Sequence, residues 1–189
     1  MAVRVTLFFL LCFFYVAYFA KMLLLKKQGI AGDLLGKGDK PAKAARAEMI
    51  LRVITYLGAA IQYVSVFFTG LSWSIATPFP LRVTGLVLAA AGVVFFLFSV
   101  TAMQNNWRAG FDEKQETTLV TTGIYKLSRN PTFLGFDLLY IGCSLAVANI
   151  FMIVFAVAAA VAFHIQVLGE EAFLAQKFGQ GYARCTVPK

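Results

Sequence analysis

Two clusters of polar side chains stand directly beside long apolar runs. The stretch GIYKLSRNPTFLG carries Tyr125, Arg129 and Asn130 to the start of one run, and Glu170 and Glu171 follow the end of another. Arginine and amide nitrogens donate hydrogen bonds, carboxylates accept them, and tyrosine offers a flat apolar face. Together these groups suit a polar, aromatic and partly cationic ligand bound where water meets an apolar phase.

The elements that position these residues are apolar helices. Of the 189 residues, 60% are hydrophobic and only 14% are charged, which is far more apolar than a soluble domain. The spanning segments are predicted to be helical because the alternation typical of a barrel strand is absent. The sequence predicts an all-α, polytopic integral membrane helical bundle of about five transmembrane helices near residues 5–25, 49–73, 81–103, 132–148 and 150–168.

The first segment has an alternative interpretation as a signal peptide, because it is N-terminal and apolar. Its length, and the lack of a clear small-x-small cleavage site before the basic pair Lys26-Lys27, favour a spanning helix.

Gly85, Ala89 and Gly92 share one face of the third helix and predict close helix packing.

The last two helices are predicted to form a tight hairpin, since only Asn149 interrupts the apolar sequence between them. They must then run antiparallel. This geometry brings Asn130 and Pro131, at the start of one helix, close to Glu170 and Glu171, at the end of the other. Pro131 suits a first helical position, and Asn130 is a candidate N-cap residue. In the alternative interpretation, these residues only begin a helix at the membrane interface, and Arg129 reaches a lipid phosphate.

Basic residues lie in alternate loops and predict an orientation. The opposite loops carry only Arg4 and Arg82. By the positive-inside rule the N-terminus is outside, and the C-terminus and the polar clusters are cytoplasmic. This topology explains the net charge of +8 without nucleic acid as a partner. The residues that set the bias are Lys26, Lys27, Lys37, Lys40, Lys43, Arg46, Arg108, Lys114, Lys126, Arg129, Lys177, Arg184 and Lys189.

Other common sites are not predicted. The three cysteines include no C-x-x-C pair, and no H-E-x-x-H or phosphate-loop motif is present, so no metal site is expected. The GKGDKP stretch lacks the third glycine of a dinucleotide fingerprint, and residues 29–43 are typical of a flexible connector.

Two further polar residues lie inside apolar segments, where they often mark function. His164 is compatible with a structural hydrogen bond or with a place in an acceptor pocket. Asp137 lies one turn beyond Phe133. For Asp137 an interhelical hydrogen bond is the favoured interpretation, and lining of the same cavity is the alternative.

The C-terminal half resembles a known family. The segments LVTTGIYKLSRNPTFLGFDLLYIG, HIQVLGEEAFLAQKFGQGY and VPK are similar in order and spacing to those of the isoprenylcysteine carboxyl methyltransferases, to which phospholipid N-methyltransferases are broader relatives. The resemblance covers Trp107 to Lys189. It divides the chain into an N-terminal three-helix membrane region, 1–103, and a methyltransferase-like region, 104–189, with a cytoplasmic S-adenosylmethionine pocket near the helical hairpin.

The resemblance also implies residue roles. It assigns catalytic positions to Asn130 and Glu171. Contact with the acceptor substrate is expected from Arg129, Asp137, His164 and Gln166, of which only Gln166 stands at a position that the family uses for the substrate. The positions that it implies for binding S-adenosylmethionine are Thr117, Thr118, Leu119, Val120, Tyr125, Asn130, Pro131, Thr132, Phe133, Glu170 and Tyr182.

Three positions depart from the family pattern. Asn130 stands where well-known members have His, and Phe133 stands at a frequent Tyr. Gln166 replaces an Arg that the prenylcysteine enzymes use for the substrate, which weakens the case for a prenylcysteine. A carboxylate acceptor needs no general base, whereas an amine would need one, with Glu171, Asp137 or His164 as candidates.

The sequence therefore predicts an S-adenosylmethionine-dependent membrane methyltransferase that acts on a lipophilic small-molecule or lipid-anchored acceptor, with a carboxylate favoured and membrane lipids as surroundings. Two alternatives stay open. One is an NADPH-dependent sterol-type reductase, which has a similar C-terminal hairpin but needs a larger pocket. The other is a non-catalytic membrane scaffold, which Asn130 and Gln166 leave open.

Overall fold

The computed structural model describes residues 1–68, 74–112, 114 and 118–179. Within these residues the chain is all-helical and has no strands, as predicted. Four of the helices are long and apolar enough to cross a membrane, namely α1, α2, α3 and α5. The five α-helices are α1 (Ala2–Lys27), α2 (Ala42–Phe67), α3 (Phe79–Met103), α4 (Pro131–Ala146) and α5 (Ile150–Phe178).

The helix α4 is shorter than a spanning helix. Its 16 residues extend about 24 Å at 1.5 Å per residue, against about 30 Å of bilayer hydrocarbon. The 29-residue α5 is much longer and continues through Glu170 and Glu171. The apolar runs predicted both helices but did not predict this difference in length.

The closest helix contact joins α3 to α4, through the small residues predicted on α3. Ala89 is fully buried. A Cβ added to Gly92 would lie 2.5 Å from the carbonyl oxygen of Gly135 and 2.5 Å from the backbone nitrogen of Leu139. The two backbones therefore touch, and the predicted close approach on this face of α3 is confirmed.

The hairpin of α4 and α5 is also confirmed. Asn149 is the N-cap residue of α5, and its side-chain oxygen accepts a hydrogen bond from the backbone nitrogen of Met152 at 2.9 Å. Its amide nitrogen donates to the Ser65 hydroxyl on α2, also at 2.9 Å. The interruption between the two helices is thus a capped turn anchored to a third helix.

The connecting segments lie at two opposite ends of the bundle. At one end the backbone nitrogen of Leu34 donates to the Ala109 carbonyl at 2.8 Å, and that of Ala109 donates to the Gly32 carbonyl at 2.8 Å. At the other end the nitrogen of Ile75 donates to the Ala148 carbonyl at 2.9 Å. The first end is called the polar end below, because it carries the charged segments 28–41 and 104–130.

The prediction of a flexible connector at 29–43 is wrong. Leu34 and Leu35 are buried, and α2 already begins at Ala42 rather than near residue 49. The Lys40 ammonium lies 2.6 Å from a Glu48 carboxylate oxygen, with both side chains fully buried. The glycines of this segment that have positive φ, such as Gly36, make turns in a packed segment and do not mark flexibility.

Replacing Gly92 with alanine tests the α3–α4 contact. The new Cβ would meet backbone atoms, which cannot rotate away. We expect the thermal unfolding midpoint in mild detergent to fall, with a loss of about 1–3 kcal/mol typical of overpacking. Fluorescence-detected thermal unfolding measures the shift.

The matched control is Gly169→Ala in α5, where an added Cβ meets nothing within 4 Å. This variant should be neutral or more stable by about 1 kcal/mol, because alanine favours a helix over glycine. Equal effects of the two substitutions would contradict close packing at Gly92.

Candidate functional site

A cavity of about 470 Å³ extends from the polar end into the bundle. Residues of all five helices line it, together with residues of the segments 28–41 and 104–130. We call it the main cavity. Its lining changes from charged and amide groups at the polar end to aromatic rings inside the bundle.

The inner part of the main cavity is aromatic. Phe14 and Phe136 meet edge to face with ring centroids 5.3 Å apart, and Tyr140 stacks on Phe163 at 5.9 Å. The Tyr15 hydroxyl donates to the Gln62 side-chain oxygen at 2.5 Å. All five helices thus contribute to a cavity whose interior suits an apolar chain or ring. The aromatic residues that line it include Phe14, Tyr15, Tyr18, Tyr63, Phe136, Tyr140 and Phe163.

At the polar end the structure brings together most of the residues that the sequence singled out. They come from the segment before α4, the first turn of α4 and the second half of α5. The predicted residues that line the main cavity are Tyr125, Arg129, Asn130, Thr132, Phe133, Gln166 and Glu170.

Tyr125 is fixed by a cluster of hydroxyl groups. Its hydroxyl is hydrogen-bonded to that of Ser99 on α3 at 2.9 Å, and Ser99 is also hydrogen-bonded to Thr132 on α4. Burial raises the pKa of Tyr125 above its ordinary value, so the phenol is neutral near pH 7. The sequence analysis missed Ser99, a fully buried hydroxyl whose signal was a polar residue in an apolar helix.

Asn130 occupies the predicted N-cap position of α4, and Pro131 is the first helical residue. The side chain of Asn130, however, makes no capping hydrogen bond. Its amide nitrogen instead donates to a carboxylate oxygen of Glu171 at 3.3 Å. The predicted juxtaposition of the two helix ends and the predicted N-cap position of Asn130 are confirmed, but its side chain contacts Glu171 and does not cap the helix.

A second cavity of about 310 Å³ lies between α4 and α5. Asp137, His164 and Glu171 line this side cavity and do not line the main cavity. The rings of Phe133 and Phe163, with centroids 5.4 Å apart, line both cavities and form part of the wall between them. The predicted polar residues thus divide between two neighbouring spaces.

Asp137 does not form the predicted interhelical hydrogen bond through its Oδ1 atom. That atom is buried and has no hydrogen-bond partner within the part of the chain that the structure describes. The His164 side chain is exposed on α5 and faces the same side cavity. Of the two interpretations left open for Asp137, the structure therefore supports the lining of a cavity.

Four of the residues implied for donor binding line neither cavity, namely Thr118, Leu119, Val120 and Pro131. The Thr118 hydroxyl accepts a hydrogen bond from the Asn106 amide at 2.7 Å. Pro131, the first residue of α4, is buried. Thr117 and Tyr182 lie outside the described residues.

The N-terminal half supplies a charged pair that the sequence analysis missed. An Arg52 nitrogen lies 2.7 and 2.8 Å from the two carboxylate oxygens of Asp33, and it also donates to the Leu35 carbonyl at 2.6 Å. Burial acts to raise the pKa of Asp33, but hydrogen bonds from Lys37 and Arg52 outweigh it and hold that pKa below its ordinary value. An arginine inside a predicted spanning segment was the available signal.

Arg108 is a third charged residue of the main cavity that was not predicted from the sequence. One of its terminal nitrogens donates to the Trp107 carbonyl at 2.8 Å. Its Nε atom is buried and has no hydrogen-bond partner among the described residues. Burial also lowers the pKa of Arg108. Because an unpaired buried donor is costly, this atom favours a ligand that brings an acceptor oxygen.

These features define a polytopic membrane protein whose cavity joins a polar mouth to an aromatic interior. Residues 80–181, more than half of the chain, match the family model of the phospholipid methyltransferases. The chain belongs to this family and is a membrane methyltransferase, and the methyl donor of the family is S-adenosylmethionine. No curated protein and no solved structure matched the chain.

Acid sensitivity tests the Asp33–Arg52 pair. Because the folded-state pKa of Asp33 is lowered, its stabilisation is present above its unfolded pKa, about 3.9, and is lost as the pH falls through the folded value. We expect Asp33→Asn to lower the thermal midpoint near pH 7. The variant should also lose less stability than the wild type when the pH is lowered below about 4.

The control is Asp39→Asn, on the same connector. Asp39 pairs with Lys114 at 2.7 Å, but both side chains are more than half exposed. Such a surface pair contributes little, so this midpoint should stay near that of the wild type. An unchanged midpoint for Asp33→Asn at neutral pH would show that the pair does not stabilise the fold.

Proposed function

We propose that the protein methylates the carboxylate of a lipophilic acceptor, in the manner of the isoprenylcysteine carboxyl methyltransferases that its sequence resembles. The acceptor is a lipophilic small molecule or a lipid-anchored group. The observation that carries this proposal is the main cavity itself, in which one space joins Glu170, Asn130 and Tyr125 to an aromatic interior.

The polar end of the main cavity fits the donor. S-adenosylmethionine supplies a methyl group activated by a sulfonium. Glu170 offers an acceptor for cationic and hydroxyl groups, and the rings of Tyr125 and Phe133 offer apolar faces for an adenine. A volume of about 470 Å³ is ordinary for a pocket of this kind.

The inner part of the cavity fits the lipophilic portion of the acceptor. Its aromatic lining, including Phe14 and Tyr63, excludes water and would hold an apolar chain in line with the polar end. Arg108 would then orient the acceptor carboxylate, because an arginine pairs with carboxylates through fixed donors. A carboxylate also needs no proton removed before it reacts, so the dry wall of Phe133 and Phe163 favours the step.

N-methylation of a phospholipid amine is a second candidate, and the side cavity favours it. The Oδ1 atom of Asp137 is buried there without a partner among the described residues, and His164 lines the same space. Such groups suit an ammonium and could take its proton. The family match supports methyl transfer and lends no support to the NADPH-dependent reductase alternative.

We also propose that the polar end faces the cytoplasm. In support, most basic residues lie at that end, whereas the opposite end has Arg4 and Arg82. In this arrangement the region 104–189 would supply most of the residues around the S-adenosylmethionine site. The region 1–103 would supply much of the aromatic lining around the acceptor. Asn130 and Glu171, joined by their hydrogen bond, would hold the wall between the two cavities.

Titration calorimetry of S-adenosylmethionine into the detergent-solubilised protein tests the donor site. We expect the wild type to bind with micromolar affinity. Glu170→Gln should weaken binding about ten-fold or more, because it removes a charged hydrogen-bond acceptor from the cavity. Asp39→Asn is the control, because it changes an exposed carboxylate that does not line the cavity to an amide. An unchanged affinity for Glu170→Gln would argue against donor binding at this position.

Arg108→Gln tests the acceptor role. The variant should keep its affinity for S-adenosylmethionine within about two-fold, while transfer of labelled methyl into lipid-extractable material falls about ten-fold or more. Lys126→Gln, on the same segment but outside both cavities, should leave transfer unchanged. Equal transfer by Arg108→Gln and the wild type would show that Arg108 does not hold the acceptor.

A further inference from the structure

Glu48 on α2 is a fully buried carboxylate that meets four donors. One oxygen accepts from the Lys40 ammonium at 2.6 Å and from the backbone nitrogen of Gly36 at 2.8 Å. The other accepts from the backbone nitrogen of Phe111 at 3.3 Å and from the Gln166 amide at 3.1 Å. Four donors fill the acceptor capacity of a carboxylate.

The donors come from three separate parts of the chain. Gly36 and Lys40 belong to the connector, Phe111 to the segment after α3, and Gln166 to α5. The contact is reinforced by packing, because the Lys40 ammonium lies 4.9 Å from the centre of the Phe111 ring and that ring stacks on Phe173 of α5 at 4.9 Å. Glu48 thus joins the N-terminal half to the helix that carries Glu170.

Gln166 connects Glu48 to Glu170 and so to the proposed S-adenosylmethionine site. Its amide nitrogen donates to Glu48 at 3.1 Å and to a Glu170 carboxylate oxygen at 2.9 Å. An amide nitrogen has two hydrogens, so both are taken by carboxylates and none is left for an acceptor substrate. Glu48 therefore determines which way the Gln166 amide faces, and the amide determines where the Glu170 carboxylate lies.

We propose that Glu48 is a positioning residue for the donor pocket, acting through Gln166 to hold the Glu170 carboxylate at the wall of the main cavity. This inference rests on the proposed role of Glu170 in binding S-adenosylmethionine. It also gives Gln166 a role different from contact with the substrate. A buried ion pair such as that of Lys40 and Glu48 costs desolvation, and a positional role of this kind is a reason to keep it.

A double-mutant cycle separates positioning from plain stability. Glu48→Gln should weaken binding of S-adenosylmethionine about ten-fold in the wild-type background, and Gln166→Leu should weaken it to a similar extent. Combined, they should bind little more weakly than Gln166→Leu alone, because both break the same link. Calorimetry gives the affinities, thermal unfolding reports the fold, and Asp39→Asn is the surface control.

A second design covers the case in which Glu48→Gln does not fold. The double variant Lys40→Met with Glu48→Leu removes both buried charges together, which is far less costly than leaving one alone. Its affinity for S-adenosylmethionine should still fall about ten-fold, since Gln166 loses the same partner.

Wild-type affinity in either folded variant would overturn the positioning role of Glu48 and leave the methyltransferase proposal intact. Fully additive losses in the cycle would also overturn it, because Glu48 would then act independently of Gln166. Failure of the wild type itself to bind S-adenosylmethionine would overturn both proposals, and the wild-type titration alone reveals that outcome.

Discussion

The backbone contact between α3 and α4 is the constraint on which the rest of the structure depends. Small residues on both helices allow it, with Gly92 against Gly135 at its centre. The contact fixes α4 along α3 closely enough for Ser99 and Thr132 to be hydrogen-bonded. Tyr125 joins the same hydroxyl cluster, so the segment before α4 is placed by the packing of two apolar helices.

The difference in length between α4 and α5 then creates the site. The helix α4 begins at Pro131 and covers only about 24 Å, which is less than the hydrocarbon depth of a typical bilayer, about 30 Å. The longer α5 passes this point and presents Glu170 and Glu171 beside it. Polar groups thus meet aromatic rings within one cavity, which is the arrangement that a water-soluble donor and a lipophilic acceptor would need.

Much of this arrangement could be predicted from the sequence. Apolar runs gave the helices, the single interruption at Asn149 gave the hairpin, and the hairpin placed Asn130 beside Glu171. These predictions rest on local patterns and on one short connection. The side-chain partner of Asn130 could not be predicted in this way, because no local pattern shows that its amide nitrogen meets Glu171 on another helix.

The missed residues lie where no local pattern exists. Glu48 and Arg52 on α2 acquire their roles through partners in other segments, and composition made the connector that carries Asp33 look flexible. Arg52 alone carried a signal, as a charge within an apolar segment. Ser99 and Arg108 were missed for a related reason, because only the folded bundle shows that Ser99 meets Tyr125 and that Arg108 lines the main cavity.

The most direct measurement incubates the protein in membranes with S-adenosylmethionine labelled in its methyl group, then treats the lipid extract with alkali. A methyl ester of a carboxylate releases its label as volatile methanol, whereas an N-methyl group keeps it. The account predicts label in the lipid extract of the wild type that alkali releases. Label that resists alkali, or the absence of label from the extract, would contradict methylation of a lipophilic carboxylate.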